Sequence, residues 1–319
     1  MNDQSSLRDD LKVRAATLHA IRAFFAERQV VEIDTPALSK AAATDPALTS
    51  LSADVASLGG RHYLHTSPEH AMKRLLAAGS GDIFQFARVY RDGELGRWHQ
   101  PEFILLEWYR TGFDDHDLMD EIFDLLQVVL EPRYPKLARL RISYQDAFDA
   151  TFGVNPLKLD RLAVQKLTRA LADHKIDVPA KIDAEALLDL ALATVVVDEW
   201  PRNTAVFLYD YPTAQAALAR IKPAEPPVAA RFEVFINGLE LGNGFHELTD
   251  AVEQRRRFEA DVAARRRAGL PDAPIDTDLL AALENGLPDC AGVAIGIDRL
   301  FALLIGADSL ADAINLPHQ

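Results

Sequence analysis

Residues Arg231 to Gly242 hold an Asn237-Gly238 pair between two alternating apolar runs, a strong short-range signal for a two-residue β-hairpin. Both turn positions require positive φ, which Asn and Gly reach at the least cost. Once the turn is set, the two-residue period of a strand sets the rest. Phe235 falls opposite Glu240, and Glu233 lies diagonally across from Glu240 on the same face. Phe232, Val234, Ile236, Leu239 and Leu241 take the other, buried face. Diagonal partners lie roughly 7–8 Å apart at the backbone, so the two glutamates converge. Such a pair suits Mg²⁺ carrying nucleotide phosphates, and it equally suits two solvated acids on an open face. The hairpin commits this part of the chain to an antiparallel sheet.

The rest of the chain predicts what surrounds that sheet. Leu7, Leu11, Ala15, Leu18, Ile21 and Phe25 recur at helical spacing over 7–29, ahead of a short strand at Val30 to Thr35 halted by Pro36. Ser67-Pro68-Glu69 opens a second helix, with Ser67 suited to the N-cap and Pro68 to the first helical position. Ile83 to Arg91 and Pro101 to Tyr109 read as an antiparallel pair joined by the polar loop Asp92 to Gln100. A helix over 115–130 follows, then three helical segments, Ser143 to Phe152, Asp160 to His174 and Asp183 to Trp200. These predict a helical insertion at about 115–200 within one domain spanning 1–319. The sheet resumes at Ala205 to Tyr211, a charged helix covers Asp250 to Ala268, and the strand Gly292 to Ile297 runs into the helix Asp298 to Ile305. Elements in this order predict an α+β fold with an antiparallel sheet flanked by helices.

Three further stretches carry candidate chemistry. In Pro101 to Tyr109, Phe103, Leu105, Glu107 and Tyr109 share one face, while Ile104, Leu106 and Trp108 point into a core. A mid-strand carboxylate between apolar neighbours must meet a cation or a donor. A salt bridge to the next strand answers that need. So does a site floor in which Phe103 stacks a flat base while Glu107 and Tyr109 receive a ligand amine. Arg88, Arg91, Arg97 and His99 gather around the loop, where arginine can grip phosphate oxygens through paired bonds or stay solvated. Gly292 to Arg299 combines glycines that admit close backbone approach with an arginine in a first helical turn, against the helix dipole. A base or a phosphate would explain that arginine; a plain glycine-marked strand is the other reading.

Charge and composition narrow the partners. Asp and Glu number 48 against 34 Lys and Arg, a formal charge of -14, and such a field repels phosphate backbones. Cys290 is the single cysteine, so no intrachain disulfide forms. There is no charged-then-apolar leader and no 18-residue apolar run, so the sequence predicts a cytoplasmic protein with no membrane contact.

In order and spacing these segments resemble the signature motifs of class II aminoacyl-tRNA synthetases. Phe25 to Pro36 is similar to motif 1, Val89-Tyr90-Arg91 through Phe103 to motif 2, and Gly292 through Arg299 to motif 3. Thr66-Ser67-Pro68-Glu69, Arg97 through Phe103 and Asn243 through Asp250 resemble the lysyl branch, and the likeness covers nearly the whole chain. The resemblance implies roles. Glu69 takes the substrate amine at a helix start shaped by Ser67 and Pro68. Glu107, Tyr109, Asn243 and Glu247 surround a distal ammonium. Arg91 bridges the substrate carboxylate and the α-phosphate, so that Arg91, Glu240 and Arg299 carry the activation step. Phe103 and Arg299 sandwich adenine, and His99, with Arg97, holds the outer phosphates. Asp92, Gly93, Gln100, Leu241 and Gly296 complete the ATP contacts, and Glu233 with Glu240 holds Mg²⁺.

Motif 1 begins almost at residue 7, which leaves no room for the anticodon-binding domain of a lysyl-tRNA synthetase. The short members of the branch join (R)-β-lysine, through its adenylate, to a lysine side chain of elongation factor P. Ala294 matches them where lysyl-tRNA synthetases carry Gly. The resemblance thus implies an ATP- and Mg²⁺-dependent homodimeric ligase acting on (R)-β-lysine and elongation factor P, with no tRNA. A minimal lysyl-tRNA synthetase and a non-catalytic amino-acid-binding paralogue are the alternatives. The chain departs from the family at Gly93, where Arg-x-Glu would place Glu, at Trp98, at Gln100, and in the tail after Asn315.

Overall fold

The structure is a computed structural model that describes residues 4–314; the departing tail lies outside them. Helix α1 (Gln4–Glu27) leads into a two-residue strand β1 (Val31–Glu32). A small three-stranded sheet follows, built from β2 (Leu38–Ser39), β3 (Ser52–Val55) and β4 (Gly60–Leu64) in the order β2-β4-β3. Next come α2 (Glu69–Ala77), β5 (Ile83–Tyr90), β6 (Glu102–Thr111), α3 (Asp115–Leu130), β7 (Ala138–Ser143), α4 (Tyr144–Phe152), α5 (Arg161–Asp173) and α6 (Ala184–Ala191). The chain continues through β8 (Thr204–Pro212), β9 (Ile221–Lys222), β10 (Val228–Ile236), β11 (Leu239–His246), α7 (Ala251–Arg267), α8 (Thr277–Gly286), β12 (Cys290–Gly296), α9 (Ile297–Ile305) and α10 (Leu310–Ala313).

The main sheet runs β1-β5-β6-β12-β11-β10-β8-β7, with β9 beside β10. It is antiparallel through its middle, but β1 runs parallel to β5 and β7 parallel to β8, so the sheet is mixed. Strand β7 is a correction to the wholly helical stretch expected over 115–200. Its residues Ala138 to Ser143 pair with Thr204 to Tyr209 at the sheet edge, before Ser143 caps α4 by accepting from Asp146 N. The expected helix Asp183 to Trp200 is regular only over α6; a π-helical turn at Leu192–Val196 and a 3₁₀ turn at Val197–Glu199 follow it. Ser67 does not cap α2: Pro68 holds the cap position and supplies no side-chain bond. The Asn237-Gly238 turn forms as expected, with φ values of 53° and 84°.

The two faces of the sheet are covered differently. One packs entirely against helices: Leu106, Trp108, Phe207, Phe232, Val234, Val293 and Ile295 join Phe25, Ile122, Leu126 and Leu300 in one core. Trp108 is fully buried and donates from Nε1 to Glu121 on α3, so its one polar group is satisfied. On the opposite face, α4 to α6 cover β8 and the near part of β10, burying Val206, Leu208 and Phe235. Residues from α2, α7 and α8 cover the far end with Met72, Phe258 and Leu280. The centre of that face, over β6, β12 and β11, is left uncovered and holds the site.

Asp298 pins the start of α9 to two distant elements. One carboxylate oxygen accepts from Ile104 N at 2.8 Å, and the other lies 2.7 Å from Arg14 NH2 on α1. Asp298→Ala leaves a largely buried guanidinium without its carboxylate, so an unfolding stability loss of about 3 kcal/mol is expected. A urea midpoint unchanged from wild type would refute that role for the pair.

Candidate active site

Strand β12 makes the floor. Val293 and Ile295 point into the core, while Gly292, Ala294 and Gly296 face the uncovered side, where small residues leave room above the sheet. Gly292 has no alternative: a Cβ there would lie 2.3 Å from the Tyr109 ring and 2.6 Å from Glu247 Oε1.

Acidic groups line one end of this floor. Glu69 projects from α2, Glu107 from β6 and Glu247 from the end of β11. Lys73, one helical turn beyond Glu69, reaches in beside them. Its ammonium lies 2.6 Å from Glu69 Oε1 and 2.6 Å from Glu247 Oε2, and it is 2% exposed. Burial opposes its charge, yet Glu247 and Glu69 outweigh burial and raise its pKa. Tyr109 donates its hydroxyl to Glu107 Oε1 at 2.7 Å. Burial, then the charge of Glu69, pushes the Glu107 pKa well up; burial pushes Glu247 up to about 7 despite Lys73. Two buried acceptors, Glu107 Oε2 and Asn243 Oδ1, have no hydrogen-bond partner among the described residues. Unmet acceptors of this kind suit a ligand ammonium, which carries three donors and no acceptor.

A β-bulge aligns this acidic end with the rest. Phe235 pairs with Glu240, but Val234 pairs with Gly242 and Glu233 with Asn243, so one residue of β11 is left over at the shift. Glu240 and Asn243 are three apart, which in a regular strand sends them to opposite faces. The extra residue brings both to the site face. It also corrects the expected register, because Glu233 stands opposite Asn243.

The other end of the floor is a slot of 130 Å³ lined by Phe103, His99, Gln100, Glu240, Leu241 and Arg299, among others. Arg299 donates to the Glu240 carbonyl at 2.9 Å and to the Trp98 carbonyl at 3.2 Å, which holds its plane over the slot. It also approaches His99 Nε2 at 3.0 Å. A guanidinium only donates, so that nitrogen accepts and His99 is neutral. Burial and the adjacent Arg299 lower the His99 pKa in the same sense. Arg91 lies 5.1 Å from the Phe103 ring centroid and donates from Nε to the Thr66 carbonyl at 3.2 Å.

The slot meets a cleft of 1710 Å³ that contains the acidic end, with Ser67, Pro68 and Glu69 on its wall. Arg91, Asn243 and Ala294 line both spaces. A molecule in each would meet at Arg91, above the Ala294 methyl. Ala294 itself pairs with Glu107 on one side and Asn243 on the other.

Not every expected residue arrives. Asp92 and Gly93 line neither space; Asp92 Oδ1 accepts from Gly93 N, and Gly93 adopts φ 80°, which a glutamate at this position would reach only under strain. Arg97 turns away to donate to the Asp308 carbonyl, and Arg88 pairs with Glu102. Glu233 lines neither space and is held by Arg231 at 2.6 Å. Lys73 was missed altogether. Its only sequence signal was its place four residues after Glu69, on a helix that buries Met72 and Leu76.

The sequence profile of tRNA synthetases class II (D, K and N) matches residues 2–319. The chain belongs to this family. Its α+β fold and its ordered motifs are those the class II resemblance implied. In the sheet, β6, the far strand of motif 2, pairs directly with β12 of motif 3. Curated relatives narrow the likeness. A protein of Vibrio cholerae named elongation factor P–(R)-β-lysine ligase is 47% identical over 311 residues, covering 96% of this chain and 94% of that relative. Proteins of the same name from Edwardsiella ictaluri and Yersinia enterocolitica are 46% and 45% identical, covering 96% and 97% of this chain and 94% of each relative. Among the described residues, no helix is long and apolar enough to cross a membrane.

Proposed function

We propose that this class II protein activates (R)-β-lysine with ATP and transfers it to a lysine side chain of elongation factor P in the cytoplasm. The observation that carries the reading is the junction at Arg91. There a buried pocket with unmet carboxylate and amide acceptors opens directly onto a slot walled by an aromatic ring and an arginine. A diamino acid suits the first space and a nucleotide the second. The names of the curated relatives include (R)-β-lysine, a diamino acid, which supports the first assignment.

In this reading the substrate carboxylate attacks the α-phosphorus and pyrophosphate leaves. Arg91 holds both reacting groups and stabilises the charge that develops between them, so no protein nucleophile is needed. Phe103 and Arg299 clasp the adenine, and Gln100 Oε1, buried without a partner among the described residues, offers an acceptor in the slot. The acceptor amine then attacks the adenylate carbonyl, an amide forms, and AMP leaves with loss of a proton from the amine. Of the two expected Mg²⁺ ligands, Glu240 borders the slot, while Glu233 lies outside both spaces and is paired with Arg231. Glu240 would hold the ion together with phosphate oxygens, and it would neutralise phosphate charge. Leu7, Leu11 and Val13 on α1 and Val31 on β1 are exposed apolar residues within or beside the motif 1 segment, which supports a homodimer.

The test is ATP–pyrophosphate exchange over the lysine isomers, with and without elongation factor P. Exchange strongest with (R)-β-lysine, and a matching mass gain on elongation factor P, is expected. Stronger exchange with α-lysine together with tRNA charging would replace this reading with a minimal lysyl-tRNA synthetase.

A further inference from the structure

A buried cation stands behind the acidic end of the cleft. Glu69, Glu107 and Glu247 gather around the Lys73 ammonium, which lies 2.6 Å from both Glu69 and Glu247. A diamino acid would bring two further ammonium groups to these acids, while its carboxylate falls to Arg91. Lys73 is therefore the member that holds Glu69 and Glu247 side by side. It also joins groups that belong to different parts of the chain, since Glu69 lies on α2 and Glu247 follows β11. Within the proposed function, these two meet the two different ends of the ligand.

We infer that Lys73 is a positioning residue for diamino acid recognition: its buried ammonium bridges Glu69 to Glu247 and holds both carboxylates in place to receive the ligand. The inference rests on the functional reading above and adds to it a residue that touches neither nucleotide nor reacting atoms.

The pH dependence follows from every group that faces this bridge. Glu69 and Lys73 come from α2, Glu107 and Tyr109 from β6, Cys290 from β12, and Arg220 and Glu247 flank the end of β11. Glu247 stands at about 7 with Lys73 in place. A protonated Glu247 cannot receive an ammonium, so kcat/KM falls as pH drops through that value. Without Lys73, the neighbouring positive charge that lowers the Glu247 pKa is gone, and the fall begins at higher pH. Burial pushes Cys290 up to about 12, so its thiol takes no part in this range.

The test uses the full chain and the pH profile of pyrophosphate exchange. Lys73→Met is expected to raise KM for (R)-β-lysine about tenfold or more, because it removes one partner of a buried charge pair. It leaves KM for ATP unchanged and moves the acid limb of kcat/KM up by about one pH unit. Lys73→Arg keeps the charge and returns the limb toward its wild-type position. A merely structural lysine would lower the melting temperature and leave the limb where it was, and that result overturns the inference. If Lys73→Met does not fold, wild-type calorimetry decides. Binding of (R)-β-lysine at pH 7, read in two buffers of different ionisation enthalpy, should release about half a proton or more per site. No proton release overturns the inference. Binding of no lysine isomer at all would sink the functional reading and this inference together, whereas normal wild-type binding with an unmoved limb sinks Lys73 alone.

Discussion

Arg91→Ala is expected to lower ATP–pyrophosphate exchange by about 10²–10³-fold while the protein stays folded. The side chain lines both the slot and the cleft, so among the described residues it is the one cation placed to touch a carboxylate from one side and a phosphate from the other. Its present contacts are easily exchanged: Glu94 lies 3.6 Å from NH1, partly exposed, and the Phe103 ring is a face it can share with a base. Exposed pairs of this kind contribute little to stability, so the melting temperature should hardly move. Arg91→Lys should rescue little, since a point charge cannot span two acceptors as a planar fork does. Exchange at the wild-type rate in a folded Arg91→Ala protein would remove the proposed activation step.

Gly292→Ala should be almost as damaging, by a different route. The added methyl would sit 2.3 Å from a Tyr109 ring carbon and 2.6 Å from Glu247 Oε1. Tyr109 is 2% exposed and Glu247 1%, so neither has space into which to retreat. Overpacking of this kind costs about 1–3 kcal/mol of stability. The displaced Tyr109 and Glu247 also lose their places around the ammonium, and a misplacement near 1 Å lowers exchange by roughly 10²-fold. ATP binding alone should survive, because the slot adjoins Gly296 and Ala294 and not Gly292. Wild-type exchange and stability together would show that the floor tolerates a side chain there.

Local signals carried much of this into the sequence reading. The Asn237-Gly238 turn, the alternation that buries Leu106 and Trp108 while presenting Glu107, and the helix starts at Asp160 and Asp183 each depend on residues within a few positions of one another. What failed depended on distant partners. Strand β7 is six residues at an edge, and only its pairing with β8 makes it a strand. Lys73 looks like an ordinary amphipathic-helix lysine until the fold sets Glu247, 174 positions further on, against it. Glu240, Asn243 and Glu247 were all placed at the site by resemblance, although their spacing of three and four cannot lie on one face of a regular strand. The register shift that reconciles them has no mark in the letters, since nothing in Leu241-Gly242 announces it. Gly93 is the converse case. It looked like a loss at the level of motif matching, and its left-handed backbone gives it a local reason.

The leftover residue at that register shift acts as a half-turn in an otherwise regular ribbon. Remove one amino acid between Leu239 and Asn243, and each side chain beyond it exchanges its surroundings. Asn243 would turn toward Phe232 and Trp108, and Gly244 toward solvent. The segment can therefore drift in spelling far more freely than in length. The proposed nucleotide contacts before the half-turn and the proposed amine contacts after it stay aligned only while their count is kept, so a change of amino acid preference is open to substitution here and closed to deletion.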